Sequence, residues 1–301
     1  MDSEAMDASA QHNGTIASNF SSNRTEMSRL ITDYLDYKGY ESFVASIEDS
    51  LNTSCDFIQF SNVSAKDFEF LASDKNRTLK SARFSYNFVT ECLTIKMPQW
   101  DHKELAGLFR AMIDEQLFSM LVSGEFISLS SPLTVLGSWA KEPDAAWSPE
   151  STGNLTVVLE VGDSESAQQL AINARGWLES PGTTAETCIT IDLSEENNLT
   201  IDVWRLDRRV YAVSTRRLPS PAVRVQHVKI LNGDAGPQID GWKMDENMGE
   251  IPTDEIQLDF AMFVGRRATT SIEQDIVISR DLLMAFANRF WRRQGRRSAR
   301  S

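Results

Sequence analysis

The sequence predicts an α+β fold with a mixed central sheet flanked by helices. Apolar residues recur at helical spacing over residues 101–122, and short β-branched and aromatic runs then crowd residues 126–161. Helical spacing returns only over 164–178, before a further series of strand-like runs. Helix, strands, helix, strands is neither the strict alternation of a parallel α/β sheet nor the unbroken periodicity of a helical bundle.

The elements follow in order. Residues 1–27 are rich in Ser, Asn, Ala and Asp with few large apolar groups, so they cannot offset their ordering entropy and predict a disordered arm. Leu30, Ile31, Tyr34, Leu35, Phe43, Val44 and Ile47, interrupted by Gly39, predict two short helices or one broken helix, within an N-terminal helical extension over 28–81. Alternation over 82–97 predicts a strand pair closed by Pro98 and opens the main domain, 82–293.

The helix over 101–122 has Asp101 as a candidate N-cap and Leu105, Leu108, Phe109, Met112, Ile113, Leu117, Met120 and Leu121 on one face. Strands are predicted at 126–129, 133–139, 145–147 and 155–161. After the helix at 164–178, others follow at 187–193, 199–206, 210–213 and 223–231. Residues 232–253, with Gly233, Gly236, Pro237, Gly241, Gly249 and Pro252, predict a long loop. A strand at 256–264, a helix at 279–293 and a basic tail at 294–301 complete the chain.

Composition narrows the function classes. The chain is 41% hydrophobic and 24% charged, which suits a globular protein with a sizeable core. Its formal net charge of -13 excludes a general nucleic-acid coat protein, because repulsion from phosphate would dominate encounter; any nucleic-acid contact has to be local. Cys55, Cys92 and Cys188 form neither a zinc spacing nor a disulfide framework, which points to a reducing compartment. The opening Met-Asp-Ser-Glu-Ala-Met-Asp has no signal-peptide character and no apolar run reaches membrane-spanning length, so the expected location is the nucleus or cytoplasm, with the N-x-[ST] triplets unglycosylated. Arg289, Arg292, Arg293, Arg296, Arg297 and Arg300 form a basic run without an acid. Such a run suits nuclear targeting, a nucleic-acid patch, or a helix end complemented by cations.

The segment that could carry chemistry runs from Lys141-Glu142-Pro143-Asp144, through the apolar strand around Glu160, to Gly162-Asp163-Ser164-Glu165-Ser166. A turn-borne Asp144 and a mid-strand Glu160 could share a hard cation such as Mg²⁺, which would activate water for phosphodiester hydrolysis. The bland alternatives are a turn-forming role for Asp144, helix capping by Asp163 and Glu165, and ion pairing for Arg175. Glu160 needs a partner in any case, since an ionised group inside an apolar strand is costly to bury alone. His12, His102 and His227 lack partners at metal-ligand spacing, and the tryptophans suit packing.

In Gly137, Ser138, Lys141, Glu142, Asp144, Glu160, Gly162, Ser164, Glu165 and Ser166, with Arg175 and Trp177 in the following helix, the chain resembles the PD-(D/E)XK nuclease-like superfamily. More narrowly it is similar to proteins of filamentous fungi that read G-S-x-x-K-E-x-D followed by E-x-G-x-S-E-S. The likeness spans roughly residues 82–292. It implies a restriction-endonuclease-like core and a Mg-dependent phosphodiesterase in which Asp144 and Glu160 bind the metal, assisted by Glu104, Asp114 or Glu115. The family pattern places a lysine two residues after the glutamate, whereas this chain has Gly162 there and no lysine between Glu142 and Val228. Lys141 and Arg175 are the available substitutes. Loss of one preorganised donor costs about 10²- to 10³-fold in rate. The resemblance therefore implies either a weak or inactive metal-dependent nuclease or a non-catalytic binding module with no nucleic-acid role.

Overall fold

A computed structural model describes residues 33–52, 57–97, 99–163, 167–194, 196–207, 220–233 and 236–299. In chain order the first elements are β1 (Asp33–Asp36), α1 (Tyr40–Asn52), β2 (Phe57–Ser61), α2 (Ala65–Ala72), β3 (Arg83–Asn87), β4 (Cys92–Lys96) and α3 (Trp100–Ser119). Then come β5 (Phe126–Leu129), β6 (Thr134–Leu136), β7 (Trp139–Lys141), β8 (Ala145–Pro149), β9 (Val157–Asp163), α4 (Ala167–Glu179), β10 (Thr187–Leu193) and β11 (Leu199–Leu206). The last are β12 (Ala222–Leu231), β13 (Gln238–Met244), β14 (Glu250–Pro252), β15 (Ile256–Leu258), α5 (Phe260–Val264), β16 (Ile276–Ile278) and α6 (Arg280–Ser298).

The fold is α+β, with mixed sheets flanked by helices. A six-stranded sheet runs β1-β2-β4-β3-β7-β6, with β1 parallel to β2. Its apolar positions alternate, so Phe84 and Tyr86 of β3 turn inward to meet Phe43, Phe60 and Phe68. Phe68 stacks on Tyr86 with ring centroids 4.3 Å apart, and Ser64 caps α2 by accepting from the Asp67 N–H.

The larger sheet runs β14-β13-β12-β11-β10-β9-β8-β5. β9 and β10 are parallel and joined through α4; their neighbours pair antiparallel. Alternation along β9 assigns its two faces. Val157, Leu159 and Val161 enter the core formed with Leu105 and Phe109 of α3 and Phe286 and Phe290 of α6. Val158 enters the opposite core, with Ala174, Trp177 and Leu178 of α4. Thus α3 and α6 cover one face and α4 the other.

Several elements differ from the sequence expectation. The boundary at residues 81/82 runs through one sheet, because β2 pairs with β4, so the stretch before residue 82 is strand and helix together rather than a helical extension. The helical stretch predicted before Gly39 gives way to β1 within the described residues, and β2 and α2 had no strong periodic signal. Residues 232–253 contain β13 and β14. Gly241 lies inside β13 because a Cβ there would come 2.4 Å from the His227 carbonyl oxygen, so this glycine marks close backbone approach and not a loop. The strand predicted at 256–264 ends at Leu258. α5 then begins beyond the N-cap position of Asp259 and stops at Gly265, whose φ of 75° is the left-handed form. Gln99 is the N-cap of α3, with no capping hydrogen bond from its side chain, and Asp101 falls in the first turn. Most of the expected basic tail is the last turn of α6. The arm 1–27, the strand at 210–213 and Cys55 lie outside the described residues. Among those residues no helix is long and apolar enough to cross a membrane.

Candidate functional site around Asp144 and Glu160

The chain crosses from the small sheet to the large one between β7 and β8, and the charged residues of that crossover are all paired. Glu142 forms a two-pronged ion pair with Arg77, its Oε2 meeting Nη2 at 2.6 Å, and also accepts the Phe84 N–H at 2.8 Å. Lys141 Nζ lies 3.0 Å from Glu160 Oε1.

Asp144 occupies a particular place in the backbone ladder. β8 pairs with β9 only from Ala145↔Leu159 onward, so Val161 has no β8 residue opposite it. Asp144 Oδ2 accepts the Val161 N–H at 2.9 Å, and the Lys96 ammonium donates to the Val161 carbonyl at 2.6 Å. Two side chains thereby stand in for the missing strand. Lys96 Nζ is also 3.7 Å from Asp144 Oδ2, and Arg83 Nε is 3.5 Å from Oδ1.

The carboxylate of Asp144 faces the α3 side of the sheet, where it lines a cavity of about 10 Å³ with Arg83, Lys96, His102 and Lys103. Glu160 faces the α4 side: its Oε1 accepts the indole N–H of Trp177, and Lys141 stands 5.5 Å from the centroid of that ring. Glu160 is 3% exposed and Asp144 8% exposed. The two acids are therefore neighbours along the backbone ladder, yet their oxygens lie on opposite faces of the sheet.

Electrostatics follow from these partners. Burial alone would push the Asp144 carboxyl up, but Lys96, His102, Arg83 and the Val161 N–H together bring it below its ordinary value. His102 is lowered to about 3, chiefly by burial and then by Lys96, so its imidazole is neutral at physiological pH. Burial, with the Glu160 charge adding to it, pushes the Cys188 thiol up.

The sequence reading had Asp144 and Glu160 hold one Mg²⁺. Mg²⁺ needs oxygen ligands converging in octahedral geometry, and the donors present do not fit that requirement. The acids diverge, each is engaged by a cation and an N–H donor, and no group of three or more His, Cys, Asp or Glu side chains suited to a metal ion occurs among the described residues. Of the two substitutes for the absent lysine, Lys141 reaches Glu160, whereas Arg175 is exposed on α4. Of the helix acids, Glu104 pairs with Arg293, Asp114 accepts the Trp147 indole N–H at 2.8 Å and the Ser128 hydroxyl at 2.9 Å, and Glu115 is exposed. Sequence reasoning missed Arg77, Arg83 and Lys96. Arg83 and Lys96 sit on the preceding sheet and Arg77 in the loop before β3, with no fixed spacing to the acids, and the β3–β7 pairing brings Arg83 and its neighbours alongside.

No protein-family model matches the chain, and no curated protein matches it. Among solved structures, a candidate nuclease belonging to DUF820 from Anabaena variabilis is similar at 14% identity, over 40% of this chain and 71% of that one, with a TM-score of 0.33. That degree of likeness transfers no residue role to this chain.

Proposed function

We propose that this chain is a non-catalytic binding module built on a nuclease-like α+β scaffold, in which the acids that resemble a metal pair serve structure. The observation supporting this reading is the divergence of Asp144 and Glu160. Asp144 completes a backbone ladder and Glu160 neutralises Lys141 while accepting from Trp177. Neither arrangement leaves oxygens converging on a point where a divalent ion and its water could meet a phosphate. Gly162 at the lysine position agrees with it, since no preorganised cation follows Glu160 on its own strand.

The test is a cleavage assay with Mg²⁺ or Mn²⁺ on single- and double-stranded DNA and RNA, comparing the native chain with Asp144→Asn and Glu160→Gln. The expected result is no cleavage by any of the three. Metal-dependent cleavage by the native chain that either substitution abolishes would overturn the reading.

A further inference from the structure

α6 carries Arg280, Arg289, Arg292, Arg293, Arg296 and Arg297 against a single acid, Asp281, in a chain whose acids outnumber its lysines and arginines by 43 to 30. A solvated helix in such a chain would interleave acids three or four positions from its cations, where the pairs stabilise it. Part of the basic charge is answered within the fold: Asp254 holds Arg280, Glu104 holds Arg293, and Asp101 lies near Arg297. Arg289, Arg292 and Arg296 make no ion pair with a described residue. Attraction of cations to the carbonyl end of a helix falls off within the last turn. It accounts for Arg296 and Arg297, which lie in that turn, and leaves Arg289 and Arg292 unexplained.

The unpaired arginines continue a stripe. The inner face of α6 buries Leu283, Phe286, Ala287 and Phe290, while Leu282, Ala285, Arg289, Arg292 and Arg296 are all exposed on the outer face. The steps between these exposed residues alternate three and four, so they form one ridge along the helix. The ridge is apolar in its N-terminal half, where Leu282 is 39% exposed, and cationic in its C-terminal half. A second copy of α6 does not fit it. Parallel packing sets arginine on arginine, and antiparallel packing brings Arg289 onto its own copy and sets Leu282 against Arg296. A nucleic-acid backbone leaves the apolar half unmatched.

We propose that this ridge docks an amphipathic helix of a partner protein, packed antiparallel to α6, with carboxylates in its N-terminal half and apolar residues in its C-terminal half. The guanidinium groups of Arg289, Arg292 and Arg296 donate to the carboxylates, a pairing their forked geometry favours. Acids in the partner's first turns also meet the positive end of its own dipole, which sets the antiparallel direction. Its apolar residues cover Leu282 and Ala285. The inference goes beyond the non-catalytic reading by naming a partner, and its surface shares no residue with the surroundings of Asp144 and Glu160.

The test is fluorescence anisotropy of the full chain with a labelled synthetic helix of about three heptads, carrying glutamate at the facing positions of its first half and leucine at those of its second. Saturable binding that weakens with salt is expected. Arg289→Glu combined with Arg292→Glu should weaken binding by about tenfold or more. The same variant should bind the peptide that has lysine in place of glutamate, a gain that an unfolded chain could not show. Leu282→Asn should weaken the original peptide by about threefold or more, and Lys229→Glu, an exposed reversal on β12, should leave it unchanged. No peptide binding, equal binding by the double arginine variant, indifference to Leu282→Asn, or equal loss in Lys229→Glu would each overturn the proposal. Displacement by oligothymidylate at lower concentration than by unlabelled peptide would assign the ridge to nucleic acid and overturn it too. Self-association of the native chain that the double arginine variant abolishes would do the same in favour of a second copy. Metal-dependent cleavage of nucleic acid, measured separately, sinks the non-catalytic reading and not this inference.

Discussion

Glu142 holds the Arg77 guanidinium with both carboxylate oxygens in the interior of the smaller sheet, with 2% and 10% of the respective side chains exposed. The Arg77 charge also lies 4.3 Å from the Phe84 ring centroid, and its Nη2 donates to the Ala82 carbonyl at 2.5 Å. Removing the acid strands a buried cation. Glu142→Ala should therefore cost about 3–5 kcal/mol, whereas replacing the pair together with Met at 77 and Leu at 142 should cost much less. Urea denaturation followed by circular dichroism measures both; equal losses would show that packing, not charge, sets the effect.

Acid sensitivity should begin near neutrality. His102 titrates at about 3 when folded and at its ordinary 6.5 when unfolded, so between those values the unfolded chain binds the extra proton. Stability is fully present above about pH 6.5 and falls as pH drops toward 3, by up to about 1.4 kcal/mol per pH unit. Asp144, lowered in the fold, loses its contribution as pH falls through and below the ordinary carboxyl range, in the same direction. His102→Asn should flatten the profile between pH 4 and 6.5; an unchanged slope would place the responsible group elsewhere.

Glu160 and Trp177 should be energetically coupled. Glu160→Gln keeps an acceptor for the indole N–H but removes the charge facing Lys141; Trp177→Phe removes the donor. Each is expected to cost about 1–3 kcal/mol, and the double variant less than their sum. A double-mutant cycle from chemical denaturation decides it, strict additivity being the adverse result.

Gly241→Ala should destabilise the outer strands. Its Cβ would lie 2.4 Å from the His227 carbonyl oxygen and 2.9 Å from that of Thr253, so the backbone has to move on both sides of β13. A loss of about 1–3 kcal/mol is expected, with faster amide exchange in β13 and β14. Unchanged exchange there would mean the strands yield without parting.

Where burial enforces a clear period, the chain spells out its own elements. The stripe from Leu105 to Leu117 predicts α3, and the β-branched runs around Ile189 and Val203 predict β10 and β11, because these residues pack against large complementary faces. The pattern is obscure where one residue type serves two purposes. Gly241 looks like a loop glycine and is a strand residue admitting a neighbouring backbone, and Phe260, Phe263 and Val264 look like strand and form a helical turn. At the site, Glu160 stands out as an acid in an apolar strand that needs a partner, while Lys141 is expected only as a substitute for the family lysine. The orientation of Asp144 and Glu160 was not legible, because it depends on where β8 begins relative to β9 and on cations delivered by another sheet.

The substitution of side chains for a strand at Val161 also bears on self-association. A strand that outruns its neighbour normally offers bare amide and carbonyl groups to any passing chain. Here an acid and an ammonium already occupy those groups, one from the crossover and one from β4. That corner of the large sheet therefore carries no bare backbone groups at Val161, and a Lys96 variant without the ammonium would leave the buried Val161 carbonyl without this donor.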